Sequence, residues 1–173
     1  MKLGCIFGDF FFEIESTFHG ARLLGCPGAD LGVARTGGEV GVGLAFFNPL
    51  DRAVEAGAKV VSMALATTEG MNQANIRMSL ETATSVFCKL IGRAKADGIG
   101  TRAYIATAMG CPYEGEVTVG TVVALTETML DAGAERISIA DSIGSGHPEH
   151  CQRLFATLIE KWGADIFGAH LHD

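Results

Sequence analysis

Two histidines near the end of the chain are the residues best placed to do chemistry. In Asp165-Ile166-Phe167-Gly168-Ala169-His170-Leu171-His172-Asp173 an apolar run ends in His-x-His, the pattern of a buried strand. Alternation along a strand sends His170 and His172 to one face and Leu171 and Asp173 to the other. Two neutral imidazoles side by side can share a divalent cation, and a carboxylate from another strand would extend them toward an octahedral or facial site. Asp141 closes the preceding strand-like run, where it could be that ligand or an acceptor that fixes a histidine tautomer. Asp-Ser-Ile-Gly is equally a turn sequence, so Asp141 is as well suited to holding a loop.

Other reactive types carry less. The compact loop Gly110-Cys111-Pro112-Tyr113-Glu114-Gly115 contains a cysteine, but no Cys/His arrangement activates it, so a small buried thiol is expected. Gly144-Ser145-Gly146 ahead of Pro148 could present amides to a phosphate. No G-x-G-x-x-G, P-loop or G-x-S-x-G is present. The 5 cysteines are scattered without C-x-x-C spacing, as in a reduced cytoplasmic protein rather than a disulfide scaffold. A net charge of -7 with no basic stripe argues against nucleic acid, and no uninterrupted apolar stretch is long enough to cross a membrane.

The elements that must position these residues repeat one unit. Helix-like Leu50–Ala56 stops at Gly57 and leads into the strand Lys59–Leu65. Leu80–Ala96 is a longer amphipathic helix capped by Ser79, followed after Asp97-Gly98 by the strand Arg102–Ala108. Thr121–Ala132 precedes Arg136–Asp141, and Pro148–Trp162, with proline at its first position, precedes the His-x-His strand. Such α-Gly-β units match the repeat of an eightfold β/α barrel, with a doubly wound sheet as the rival. In both architectures ligands gather at the carboxyl ends of the strands, where this chain places Thr67-Thr68-Glu69, the Gly110–Gly115 loop, Asp141 and the two histidines. Residues 1–43 are Gly-rich and without a clear period, and residues 44–173 carry the repeating pattern.

Three blocks, Arg102–Gly115, Ile137–Gly146 and Ala169–Asp173, resemble in order and spacing the 3-hydroxy-3-methylglutaryl-CoA lyases, a family of TIM-barrel metallolyases. The Gly-Cys-Pro-Tyr-Glu-Gly loop favours the lyase branch over the related Claisen-type synthases and aldolases. The resemblance implies a (β/α)8 barrel, an Mg²⁺ or Mn²⁺ ion held by His170 and His172, and Asp141 in the site. It implies an acyl-CoA substrate cleaved to acetyl-CoA and a 3-oxo acid, acetoacetate for the family's usual substrate, with a homo-oligomer compatible. The resemblance further implies that Phe12–Phe18 corresponds to the family's second strand, which would make Glu15 an active-site carboxylate.

The departures shape the expectation as much. The family's first-strand Arg-Asp pair has no match, and the eighth strand, an Asn ligand and a Gly-rich lid have no counterpart before Asp173. The expected architecture is therefore an incomplete barrel of about six of eight strands. The alternative to an active lyase is a catalytically inactive lyase fragment.

Overall fold

The computed structural model describes residues 33–36, 39–42, 49–55 and 58–172. Its strands are β1 (Val33–Thr36), β2 (Glu39–Val42), β3 (Val60–Ala66), β4 (Gly100–Ala106), β5 (Gly110–Cys111), β6 (Gly115–Glu116), β7 (Arg136–Asp141) and β8 (Phe167–Leu171). Its helices are α1 (Pro49–Glu55), α2 (Glu69–Ile76), α3 (Leu80–Ala96), α4 (Val119–Asp131) and α5 (Pro148–Trp162).

The long helices form where the sequence places their signals. In α3 the Ser79 hydroxyl accepts from the Thr82 amide at 3.1 Å, satisfying one of the donors a helix start leaves orphaned. Glu81 lies in the first turn and Arg93 and Lys95 in the last, each matched to the helix dipole. Ala83, Phe87, Ile91 and Ala94 recur at helical spacing and are buried as one stripe. Pro148 opens α5, and Leu154 and Leu158 form its inner face. Gly98, Gly133 and Gly163 end the three units with φ of +71°, +106° and +80°, a region glycine enters without strain.

A six-stranded sheet runs in the order β1-β2-β3-β4-β7-β8. Pairing from β2 to β8 is parallel, and β1 joins β2 antiparallel. Strands follow one another in chain order without the reversal that defines a doubly wound sheet, which leaves the singly wound, barrel-type arrangement. The fold is an incomplete (β/α)8 barrel, its sheet open between β1 and β8 among the described residues. Val61, Met63, Leu65, Ala103, Ile105, Ile137 and Ile139 fill one face of the sheet and are buried in the core with Phe87, Ile91, Val122, Leu154 and Leu158. Ser62, Ala64, Arg102, Tyr104 and Ser138 share the other face and are half-buried.

Two findings differ from the sequence expectation. The helix α2 has no periodic signature; it is held by Asn72, whose side-chain amide donates to the Ala66 and Thr68 carbonyls at 2.9 and 2.8 Å. Its amide oxygen accepts from the Ala66 amide at 3.3 Å. Secondly, β8 is not buried. Gly168, Ala169 and Leu171 are exposed, Leu171 by 54%, because among the described residues β8 is the edge strand of the sheet, paired with β7 alone.

Glu69 links α2 to α3, its carboxylate accepting from the Leu80 amide at 2.6 Å and the Gln73 side-chain amide at 2.9 Å. These donors, the Leu80 amide first, lower its pKa from 4.5. A depressed folded pKa contributes stability above the unfolded value and loses it as pH falls through the folded value. Urea denaturation across pH 6 to 3 is expected to show a loss of stability below pH 4.5 that is smaller in Glu69→Gln. In the core, Phe87→Ala is expected to cost about 3–5 kcal/mol and Ser79→Ala about 1 kcal/mol, compared at a single pH by the same denaturation.

Candidate functional site

The carboxyl ends of β3, β4, β7 and β8 lie side by side; β7 ends in Asp141, and Thr67, Thr107 and His172 directly follow the other three. At the first two ends, Thr67 and Thr107 are buried together. The Thr67 hydroxyl donates to the Thr107 carbonyl at 3.0 Å, and the Thr67 amide donates to the Thr107 hydroxyl at 3.2 Å. The Thr107 hydroxyl donates in turn to the Ala106 carbonyl at 2.6 Å, and the Thr107 amide donates to the Ser142 hydroxyl at 3.0 Å. Every polar group of Thr107 is thus committed across three strand ends. That commitment holds the residue at φ +55°, a conformation a β-branched residue adopts only under constraint, at a cost of about 1–3 kcal/mol.

Beyond Thr107 the chain folds back as the hairpin β5–β6, with Gly110 paired to Glu116 and Cys111 to Gly115. Cys111 is a buried thiol whose sulfur accepts from the Thr68 hydroxyl at 3.0 Å and the Tyr113 amide at 3.4 Å. Glu114 accepts from the Gly70 amide at 2.6 Å in the first turn of α2. The Gly110–Gly115 loop is therefore a clasp that ties the end of β4 to the start of α2. A Cβ at Gly110 would lie 2.5 Å from the Ser145 hydroxyl, so a larger residue there would displace the Ser145 side chain that bonds to Asp141.

Asp141 is 2% exposed, and its carboxylate holds the loop that follows it. One oxygen accepts from the Ser145 amide at 3.1 Å and the Ser145 hydroxyl at 3.3 Å; the other accepts from the Gly146 amide at 2.6 Å. The turn-forming role is the one these bonds describe. They also occupy the Ser145 and Gly146 amides, two of those that Gly144-Ser145-Gly146 could have offered to a phosphate. Asp141 pairs in register with Leu171, and Ala140 with His170, so alternation starts the Asp141 side chain on the sheet face opposite His170.

The histidines meet as the sequence predicts. Their rings are 4.9 Å apart between centroids and the two Nε2 atoms are 3.0 Å apart. That distance is a hydrogen bond between the rings, one imidazole donating and the other accepting, and the same two nitrogens are the ones that could serve a small divalent cation. The Tyr104 ring lies edge-on to His170 at 6.4 Å. No third His, Cys, Asp or Glu joins the pair in a metal-binding group among the described residues. Glu15 lies outside the described residues.

The Thr67–Thr107–Ser142 bonds went unrecognised in the sequence. The only available signal was the polar Thr67-Thr68 and Thr107 at the ends of two apolar strands.

Comparison with known proteins places this geometry in context. A family model described as HMGL-like matches residues 41–173. A mitochondrial hydroxymethylglutaryl-CoA lyase of Bos taurus is 31% identical over 127 residues, 73% of this chain and 39% of the relative. A hydroxymethylglutaryl-CoA lyase of Bacillus subtilis is 29% identical over 124 residues, 72% of this chain and 42% of the relative. Among solved structures, the Bacillus subtilis HMG-CoA lyase superposes with a TM-score of 0.69 at 28% identity, covering 72% of this chain and 42% of that one. An Acinetobacter baumannii HMG-CoA lyase in complex with coenzyme A and 3-methylmalate gives 0.66 at 27%, covering 70% and 39%. The chain thus spans about two fifths of the length of the relatives it matches.

Because the Asp141 carboxylate is the acceptor for its loop, Asp141→Asn is expected to destabilise the fold by about 1.5–3 kcal/mol, the range for hydrogen bonds to a charged group. The midpoint of urea denaturation at neutral pH measures it; a variant as stable as the parent would contradict the role.

Proposed function

The chain belongs to the HMGL-like family, and from that premise we propose that it is a carbon–carbon lyase acting on a 3-hydroxyacyl-CoA, with 3-hydroxy-3-methylglutaryl-CoA as the substrate to test first. The observation that carries the reading is the convergence of the His170 and His172 Nε2 atoms to 3.0 Å at the carboxyl end of β8. The two imidazoles would hold a divalent Mg²⁺ or Mn²⁺ ion, which when bound supplies a Lewis acid for substrate oxygens.

Cleavage removes the proton of the substrate's 3-hydroxyl group, breaks the bond between C2 and C3, and returns a proton to the acetyl-CoA carbon left as an enolate. The products are acetyl-CoA and acetoacetate. In this chain Asp141 has the part of a positioning residue, fixing the loop between β7 and α5 beside the histidines through the Ser145 and Gly146 amides. Glu15 is proposed as the carboxylate that joins the histidines in the site. Cys88, Cys111 and Cys151 are free thiols, which suits the reducing cytoplasm proposed as its compartment. No helix among the described residues is long and apolar enough to cross a membrane.

A second reading, a chain that keeps the two-histidine site without turnover, is favoured by the absence of a third metal ligand among the described residues. The two separate in one experiment. Calorimetry with Mn²⁺ on the 173-residue chain, repeated on His170→Ala/His172→Ala, is expected to show binding that falls at least about 100-fold in the variant, more than the roughly 10–100-fold of losing a group behind a ligand. Acetyl-CoA release from 3-hydroxy-3-methylglutaryl-CoA on the same samples then distinguishes lyase from inactive site, with Glu15→Gln expected to lower turnover. Binding that survives the double substitution would overturn both readings.

A further inference from the structure

Two large apolar side chains stand in solvent on loops, where polar ones are the rule, and the histidine pair does not account for them. Among the described residues the exposed large apolar side chains are Val54, Tyr113, Ile143, Ile159 and Leu171. Val54 and Ile159 lie on helices and Leu171 on the edge strand β8. Tyr113, 50% exposed, and Ile143, 41% exposed, are the two on loops. Both loops follow the carboxyl ends of neighbouring strands, β4 and β7, the end where the ligands of a β/α barrel gather.

Both loops are pinned. The Tyr113 amide donates to the buried Cys111 sulfur at 3.4 Å, and the adjoining Glu114 carboxylate accepts from the Gly70 amide at 2.6 Å. The base of the Tyr113 ring rests over Gly70, where a Cβ would lie 2.9 Å from that of Tyr113. The Ile143 loop is held by the Asp141 carboxylate, which accepts from the Ile143, Ser145 and Gly146 amides at 3.5, 3.1 and 2.6 Å. The two loops meet at Gly110, which lies against the Ser145 side chain. Apolar surface kept in water by a rigid backbone is hydrophobic stabilisation that a ligand can recover, with little ordering entropy lost when it binds.

The neighbourhood selects which part of a ligand fits. The hairpin Gly110–Glu116 carries Glu114 and Glu116 and no arginine or lysine, a setting that repels phosphate and suits a neutral group. Tyr113 offers a flat apolar body with one hydroxyl, and Ile143 a purely apolar surface. The pantetheine arm that joins the nucleotide of coenzyme A to its thioester is neutral, carries methyl groups and two amides, and has to cross the rim of the strand ends to bring a thioester to the histidines. We propose that Tyr113 and Ile143 form the contact for the pantetheine arm of the acyl-CoA substrate. The assignment rests on the acyl-CoA reading above and names the residues that hold the carrier rather than the reacting acyl group.

Coenzyme A titrated by calorimetry into the intact 173-residue chain, without metal, tests it, with adenosine 3′,5′-bisphosphate as the head group lacking the arm. Saturable binding of coenzyme A is expected, weakened at least about fivefold by Tyr113→Ala and by Ile143→Ala and less by Tyr113→Phe, which keeps the ring. Whatever affinity the bisphosphate has is expected to be the same in all of them. Ile159→Ala, which removes an equally exposed side chain from the outer surface of α5, is expected to change nothing. A parent chain that binds coenzyme A as tightly as both alanine variants do overturns the contact and leaves the acyl-CoA reading standing; a parent chain that does not bind it overturns both. An equal loss of bisphosphate affinity in Tyr113→Ala overturns the assignment to the arm. Should Tyr113→Ala lose its native circular-dichroism spectrum, Ile143→Ala on the other loop decides: undiminished affinity there overturns the proposal.

Discussion

Each strand of a parallel sheet must divide its side chains between two faces, and the helices claim one of them. Everything placed for chemistry in this chain follows from that division. The face toward α3, α4 and α5 takes Val61, Met63, Leu65, Ile105, Ile137 and Ile139, and with them most of the favourable burial. The alternate positions are released from core packing, and they hold Arg102, Tyr104, Ser138 and His170. A one-residue slip of β8 against β7 would exchange the faces and send the histidines into the helical layer. The Ile137–Phe167 and Ala140–His170 pairings therefore fix the site as much as they fix the fold.

The loops at the carboxyl ends are fixed by polar groups rather than by apolar contact. Thr107 is the clearest case. A β-branched residue at φ +55° is unfavourable by itself, and bonds to Thr67, Ala106 and Ser142 offset the cost. Its constraint turns the chain from β4 into the β5–β6 hairpin, which reaches back to α2 through Glu114. Asp141 does the same for the loop into α5. Buried polar groups that are fully satisfied specify one arrangement, because any other would leave a donor or acceptor without a partner.

The polar face thus has two chemically different ends. Toward the carboxyl ends of the strands it carries the imidazoles of His170 and His172; toward the amino ends it carries the guanidinium groups of Arg102 and Arg136. A distance of several residues along β7 and β8, at about 3.3 Å each, separates them, with Tyr104, Ser138 and Gly168 between.

The sequence by itself determined what local physics controls. Periodicity, caps and terminal glycines placed α3 and α5 with the bounds they have, β7 likewise, and alternation alone brought His170 and His172 to one face. The incomplete-barrel architecture was legible because the α-Gly-β unit recurs and because three blocks resemble a family. What depends on neighbours distant in the chain was decided only by the tertiary structure. Thr67 and Thr107 lie 40 residues apart and show no periodicity that would pair them. The helix α2 rests on Asn72 bonds to the preceding strand end, and β8 is exposed because its position at the sheet edge, not its apolar composition, sets its burial. Asp141 was open to two roles because a carboxylate accepts from whatever donors lie within about 3 Å, and the amides of its own loop are among them.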